Sequence, residues 1–195
     1  NVGFIGYPVA VALFGPEALF YAVILVLPFN LLSFTLGPLM LTGAKRFSLR
    51  KMFSPCVAAS LAALVLALAR LRPPEMVGEA VEFAGSITVP LSLMFVGSLL
   101  AGRPMGRLLV SPRLWGLAAV RLLAMPMVLC PILRALGTDP MILGIAVTQM
   151  AMPVAVNGSL LCMEYGGDTE CMAQITFVST LASIITIPIV AALLL

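Results

Sequence analysis

The sequence predicts an all-α integral membrane protein, a bundle of about seven transmembrane helices, and three observations predict it. Hydrophobic residues make up 62% of the 195-residue chain and charged residues 10%, with a mean hydropathy of +1.15. A soluble domain carries about 25% charged residues to keep its surface solvated, so this composition excludes a water-soluble globule. The apolar residues run in long blocks, and the basic residues are gathered into short loops between them.

A spanning helix needs about 20 mainly apolar residues. By that length the chain reads as a partial block at 1–15 and spans near 17–42, 55–72, 76–101, 112–136, 139–164 and 171–195. The joints are turn-like or hydrophilic: Gly15-Pro16, Arg72-Pro73-Pro74-Glu75, Gly137-Thr138-Asp139-Pro140 and Gly166-Gly167-Asp168, with the two basic loops between. The opening residues lack the basic region and cleavage site of a signal peptide. The chain starts inside an apolar block, so the expectation is that further residues precede Asn1.

Orientation follows from lysine and arginine in short loops. Of the eleven basic residues, Lys45, Arg46, Arg50, Lys51, Arg103, Arg107 and Arg113 fall in loops 43–54 and 102–113, which contain no acid. Two spans separate these loops, so both lie on one side, the cytoplasm. The Gly15 turn, the 72–79 loop, the Asp139 turn and the C-terminus then lie outside.

Two segments break the apolar pattern in related ways. The first is Asn1-Val-Gly-Phe-Ile-Gly-Tyr-Pro8; the second runs from Gln149 through Met152-Pro153 to Asn157-Gly158. Proline removes a helical donor and clashes with the carbonyl four residues back, here Phe4 and Gln149, and it pushes the preceding residue out of helical geometry. In hydrocarbon such backbone survives only against protein or a wet cavity. Carriers build mid-membrane substrate sites this way; a simple kink packed on a neighbour is the competing reading. The segments cross in opposite directions, as an inverted-topology repeat requires. If spans 55–195 are one five-helix repeat, about 100 residues of its partner precede Asn1.

Further polar residues mark the spans. Arg121 lies about nine positions past the cytoplasmic edge of its span, where arginine faces a cavity or a partner. It reads as a counter-charge for an anion, or as a snorkelling or structural residue. Asn30 and Thr35 mark the span 17–42; Asn30 is read as lining the site or as an interhelical hydrogen bond. Thr176, Ser179, Ser183 and Thr186 form one helical stripe, read as close packing, with lining of the site as the alternative. No carboxylate lies deep in a span, so no proton relay is visible. With no histidine and no nucleophile motif, an enzyme is not expected, and neither is a cofactor or metal. Cys56, Cys130, Cys162 and Cys171 form no metal or redox spacing and are expected as core residues.

These motifs resemble the auxin efflux carrier family. Asn1 through Pro8, with Leu13-Phe14-Gly15, is similar to its fourth-span signature, and Asn30…Thr35-Leu36-Gly37 to the fifth. Pro90 through Leu100 resembles the seventh span, Arg121 through Pro126 the eighth, and Met152-Pro153-Val-Ala-Val-Asn157 with Tyr165-Gly-Gly-Asp168 the ninth. The resemblance implies ten spans in two inverted repeats, five plus five, with both termini outside and a substrate site where spans four and nine cross at proline. Pro8 and Pro153 become the crossover prolines and Asn157 a substrate contact. Residues 1–42 then end the first repeat, 43–54 is a short cytoplasmic loop, and 55–195 is the second repeat. Plant members export auxin; bacterial relatives are linked to malonate, malate and similar anions, and the short loop suggests the bacterial type.

The expected function is a multi-pass carrier of the bacterial inner membrane that moves small organic anions by alternating access. Its site candidates are Asn1, Pro8, Asn30, Arg121, Gln149, Pro153 and Asn157. The expected partners are the anion, the lipid bilayer and a second copy in a homodimer, with no nucleic acid. Two alternatives stand beside it: a sodium-coupled symporter of the bile-acid type and a non-transporting membrane scaffold or partner subunit.

Overall fold

The computed structural model of the chain describes residues 1–42, 55–87, 90–91, 94–95, 97–98, 101 and 111–194. The basic loop 43–54, most of the loop 102–113 and parts of the expected span 76–101 lie outside the described residues. Among the described residues all regular structure is helical. The elements are α1 (Gly6–Phe14), α2 (Ala18–Thr42), α3 (Pro55–Leu68) and α4 (Glu75–Ser86), followed by α5 (Pro112–Ala135), α6 (Pro140–Met150), α7 (Asn157–Tyr165) and α8 (Thr169–Leu194).

Among the described residues three helices are long and apolar enough to cross a membrane: α2, α5 and α8, through Ala18–Leu41, Pro112–Ala135 and Thr169–Leu193. They fall where spans 17–42, 112–136 and 171–195 are expected. The expected span 139–164 is divided between α6 and α7. At 1.5 Å per residue, α6 and α7 are roughly 16 and 14 Å long, so together they match a hydrocarbon core of about 30 Å. The break falls between two helices of similar length.

The expected span 55–72 is shorter than anticipated, while in 76–101 the described residues are helical over Glu75–Ser86 and again at Pro90, Leu91, Met94, Phe95, Gly97 and Ser98. Helix α3 has 14 residues and α4 has 12. Arg70 takes a left-handed φ of 55°, and the Leu71 N–H turns back to the Leu66 carbonyl at 3.0 Å. With Pro73 and Pro74 following, no donor is left to carry the helix onward.

Helix α5 is not regular. Its middle, Val120–Ala124, is a π-helical turn in which the Met125 N–H reaches back five residues to the Val120 carbonyl. Pro126 follows directly and is fully buried. Its ring cannot donate to the Leu122 carbonyl, and a wider turn absorbs the lost bond; such π-turns often mark functional sites. Arg121 sits in this turn.

Packing around α6–α7 is built on small and branched residues. On α5, Leu114, Ala118 and Leu122 recur every four residues and meet Val156 before α7 and Ala173, Ile175 and Val178 of α8. Further along, Cys130, Leu143, Val147, Ala151 and Val190 join α5, α6 and α8. Ala10, Ala18 and Ala22 close α1 and α2 on Ile145 of α6. Small residues let helices approach closely in lipid, where no hydrophobic force draws them together. Of the cysteines expected in the core, Cys130 and Cys162 are buried and Cys171 is half-buried, while the side chain of Cys56 lies outside the described residues.

Candidate functional site

The last turn of α6 is where the site begins. Asp139 starts the helix, its Oδ1 accepting the N–H groups of Met141 (2.9 Å) and Ile142 (3.3 Å), with Pro140 in the first helical position. Pro153 stops it. The Gln149 carbonyl, which proline cannot serve, accepts the Met152 N–H at 3.3 Å. The carbonyl expected to be freed by the proline therefore has a donor. What is orphaned is the Gln149 side chain: its Oε1 and Nε2 are both buried with no hydrogen-bond partner among the described residues, on a residue only 6% exposed.

Helix α1 covers that amide through a glycine. A methyl group built on Gly6 would come within 2.9 Å of Gln149 Oε1 and 3.2 Å of Met152 Cγ. The Gly6 N–H bonds the Asn1 carbonyl at 3.1 Å, and the Asn1 backbone nitrogen donates to the Pro153 carbonyl. The Asn1–Pro8 segment and the break at Pro153 thus touch, through Asn1 and Gly6 on one side and Gln149, Met152 and Pro153 on the other. The break expected at Pro8 is absent, because Pro8 lies within the first turn of α1, where its missing N–H costs no helical bond.

Arg121 reaches the same place from α5. Its Nη1 donates to the thioethers of Met150 at 3.2 Å and Met125 at 3.8 Å, and it lies within electrostatic reach of the Asn1 nitrogen. Among the described residues these weak sulfur acceptors are its only hydrogen-bond partners. Nine residues into α5 places Arg121 roughly 14 Å along the axis, at membrane depth. The C-terminal end of α6 carries partial negative charge and favours a cation there, but a guanidinium has five donors and most are unfilled.

The break is braced from behind by α8. The Val154 N–H donates to Ser179 Oγ at 3.1 Å, and Ser179 in turn donates to the Thr176 carbonyl at 3.2 Å. The α8 stripe is buried at Thr176, Ser179 and Ser183. Close packing describes most of the stripe, while Ser179 adds a direct bond to the broken backbone.

The predicted site residues divide. Asn1, Arg121, Gln149 and Pro153 come together at the crossing, Pro153 fully buried. Pro8 lies in the first turn of α1, exposed. Asn30 is half-buried on α2 and makes no side-chain hydrogen bond among the described residues. Asn157 is exposed at the start of α7 and faces a cavity of about 590 Å³ with Phe34, Pro38, Leu161, Glu164 and Tyr165. Gly6, Met125, Met150 and Ser179 belong to the site or its support without having been singled out for it. Gly6 carried a signal as a small residue beside a break, and Ser179 as a member of the polar stripe; Met125 and Met150 carried none.

A family model described as membrane transport protein matches residues 38–191. The chain belongs to this family, the auxin efflux carriers. With its three spanning-length apolar helices, it is an integral membrane protein. An "Uncharacterized transporter" of Methanothermobacter thermautotrophicus is 27% identical over 193 residues, covering 97% of this chain and 63% of that one. A "Putative malonate transporter" of Rhizobium meliloti is 24% identical over 199 residues, covering 96% of this chain and 62% of that one. The chain therefore spans less than two thirds of the length of these curated relatives. No solved structure matches it significantly.

Proposed function

We propose that this auxin efflux carrier family chain forms the crossing and second half of a secondary carrier that moves small organic anions by alternating access. In this reading the architecture is ten spans in two inverted repeats of five. Residues 1–42 end the first repeat, 43–54 is the cytoplasmic loop, and 55–195 is the second repeat. The carrier sits in a bacterial inner membrane. Asn1, Arg121, Gln149 and Pro153 bound the site, with Pro8 and Asn30 on the elements beside it. Asn157, on the α2–α7 cavity, meets the substrate on its way in or out.

One observation carries the reading. A half-buried guanidinium stands at membrane depth, beside a broken helix, with only thioethers for acceptors among the described residues. A cation in hydrocarbon is costly and is kept where it pairs with something; a carboxylate fits its planar fork. The name of the Rhizobium relative points the same way, to a small dicarboxylate.

The test is uptake of labelled malonate, malate and indole-acetate by the full gene product in liposomes. Saturable uptake of at least one, competed by the unlabelled acid, is expected. Correctly folded protein that moves none of these and no other organic acid contradicts the proposal.

A further inference from the structure

We infer that the crossing selects a singly charged organic anion whose second polar group is neutral and both donates and accepts a hydrogen bond. The inference rests on the carrier reading above and narrows it.

Charge is the first constraint. Arg121 is the formal charge that the described residues place at the crossing. On α5 the neighbouring charges, Arg113 and Arg134, lie roughly 12 and 20 Å away along the axis, at its two ends. Helices α2 and α6 carry no charged residue, α1 offers only the half-buried phenol of Tyr7, and the one acid of α8, Glu170, is in its first turn. The Asn1 nitrogen is already engaged by the Pro153 carbonyl. One carboxylate pairs with Arg121; a second would be buried without a partner. A buried group in that position takes up a proton rather than remain charged.

The Gln149 amide is the second constraint. Both of its polar atoms are buried and unpaired, Oε1 needing a donor and Nε2 an acceptor. An ionised carboxylate offers acceptors alone and would leave Oε1 unpaired. A protonated carboxyl offers one O–H donor and one carbonyl acceptor, the complement of a carboxamide. With Gly6 lying on Gln149, the conformation seen is closed at this point. The amide gains its partners when α1 parts from α6 and the ligand takes the place of the contact. A dicarboxylic acid thus enters as its monoanion, and its proton crosses with it.

Malonate and its half-amide, malonamate, separate the outcomes. Malonamate carries one fixed negative charge and a neutral group that donates and accepts. Binding of both to the full gene product in detergent is measured between about pH 5 and 8. Apparent affinity falls in proportion to the competent fraction, so malonate binding should weaken about tenfold per pH unit above its second ionisation. Malonamate binding should stay level, and that curve also reports any titration of the protein itself. In Gln149→Leu the preference for a neutral second group should disappear while a simple monocarboxylate still binds. Malonate binding that is level with pH while malonamate fails to bind overturns the inference and leaves the carrier reading standing. Binding of no carboxylate at any pH, with folded protein, overturns both.

Discussion

The Val154 N–H and the Ser179 hydroxyl, 3.1 Å apart, join the interrupted backbone between α6 and α7 to the middle of α8. In lipid an N–H without an acceptor costs several kcal/mol, so a helix is not broken there without help. Ser179 supplies the acceptor while giving its own proton to the Thr176 carbonyl. Replacement by alanine strands the Val154 N–H. Ser179→Ala should lower stability by about 1–3 kcal/mol, read as an earlier thermal transition in detergent, whereas Ser179→Thr, which keeps the oxygen, should lose less. Equal stability of Ser179→Ala and the parent would mean that water or another group serves the break.

Gly6 and Gln149 are expected to be coupled. A methyl group at Gly6 falls 2.9 Å from Gln149 Oε1, closer than packing allows, so Gly6→Ala must displace a buried amide. Gly6→Ala should lower the thermal transition of the protein in detergent, and Gln149→Ala in the same molecule should recover part of the loss. Residues in contact typically show coupling of about 0.5–3 kcal/mol. Strictly additive single and double variants would show that the two segments do not press on each other at this point.

Pro153 is expected to be needed for transport and not for insertion. It is fully buried, where α6 ends and Ala151–Val156 runs without helix. Pro153→Ala restores the donor toward the Gln149 carbonyl and lets α6 run toward α7. The variant should insert and purify normally while uptake is lost. Normal uptake would remove the break from the mechanism.

How much of this could be read beforehand depends on whether the physics is local. Spans α2, α5 and α8 follow from apolar length, and the end of α6 follows from what Pro153 does to its own neighbours. Asp139 and Pro140 mark the α6 start in the same local way. The Gly6–Gln149 contact and the Val154–Ser179 bond join residues far apart in the chain, and nothing in either segment names its partner. Arg121 was conspicuous by its depth, but its acceptors, Met125 and Met150, are two of twelve methionines with no mark to distinguish them. The polarity of Asn157 marked it for a site without telling the crossing from the α2–α7 cavity that it faces. The short α3 depends on the left-handed turn at Arg70, an uncommon conformation for that residue.

The central claim is that Arg121 holds the carboxylate, and malonate binding to the full gene product and its Arg121 variants tests it most directly. Hydrogen bonds to a charged group contribute about 1.5–3 kcal/mol, so Arg121→Gln should weaken binding by roughly 10- to 100-fold. Arg121→Lys should fall between, keeping the charge but not the fork, with all three proteins unfolding at similar temperatures without ligand. Unchanged malonate affinity in a folded Arg121→Gln protein would contradict the account, and Arg121 would then be a structural residue of the π-turn.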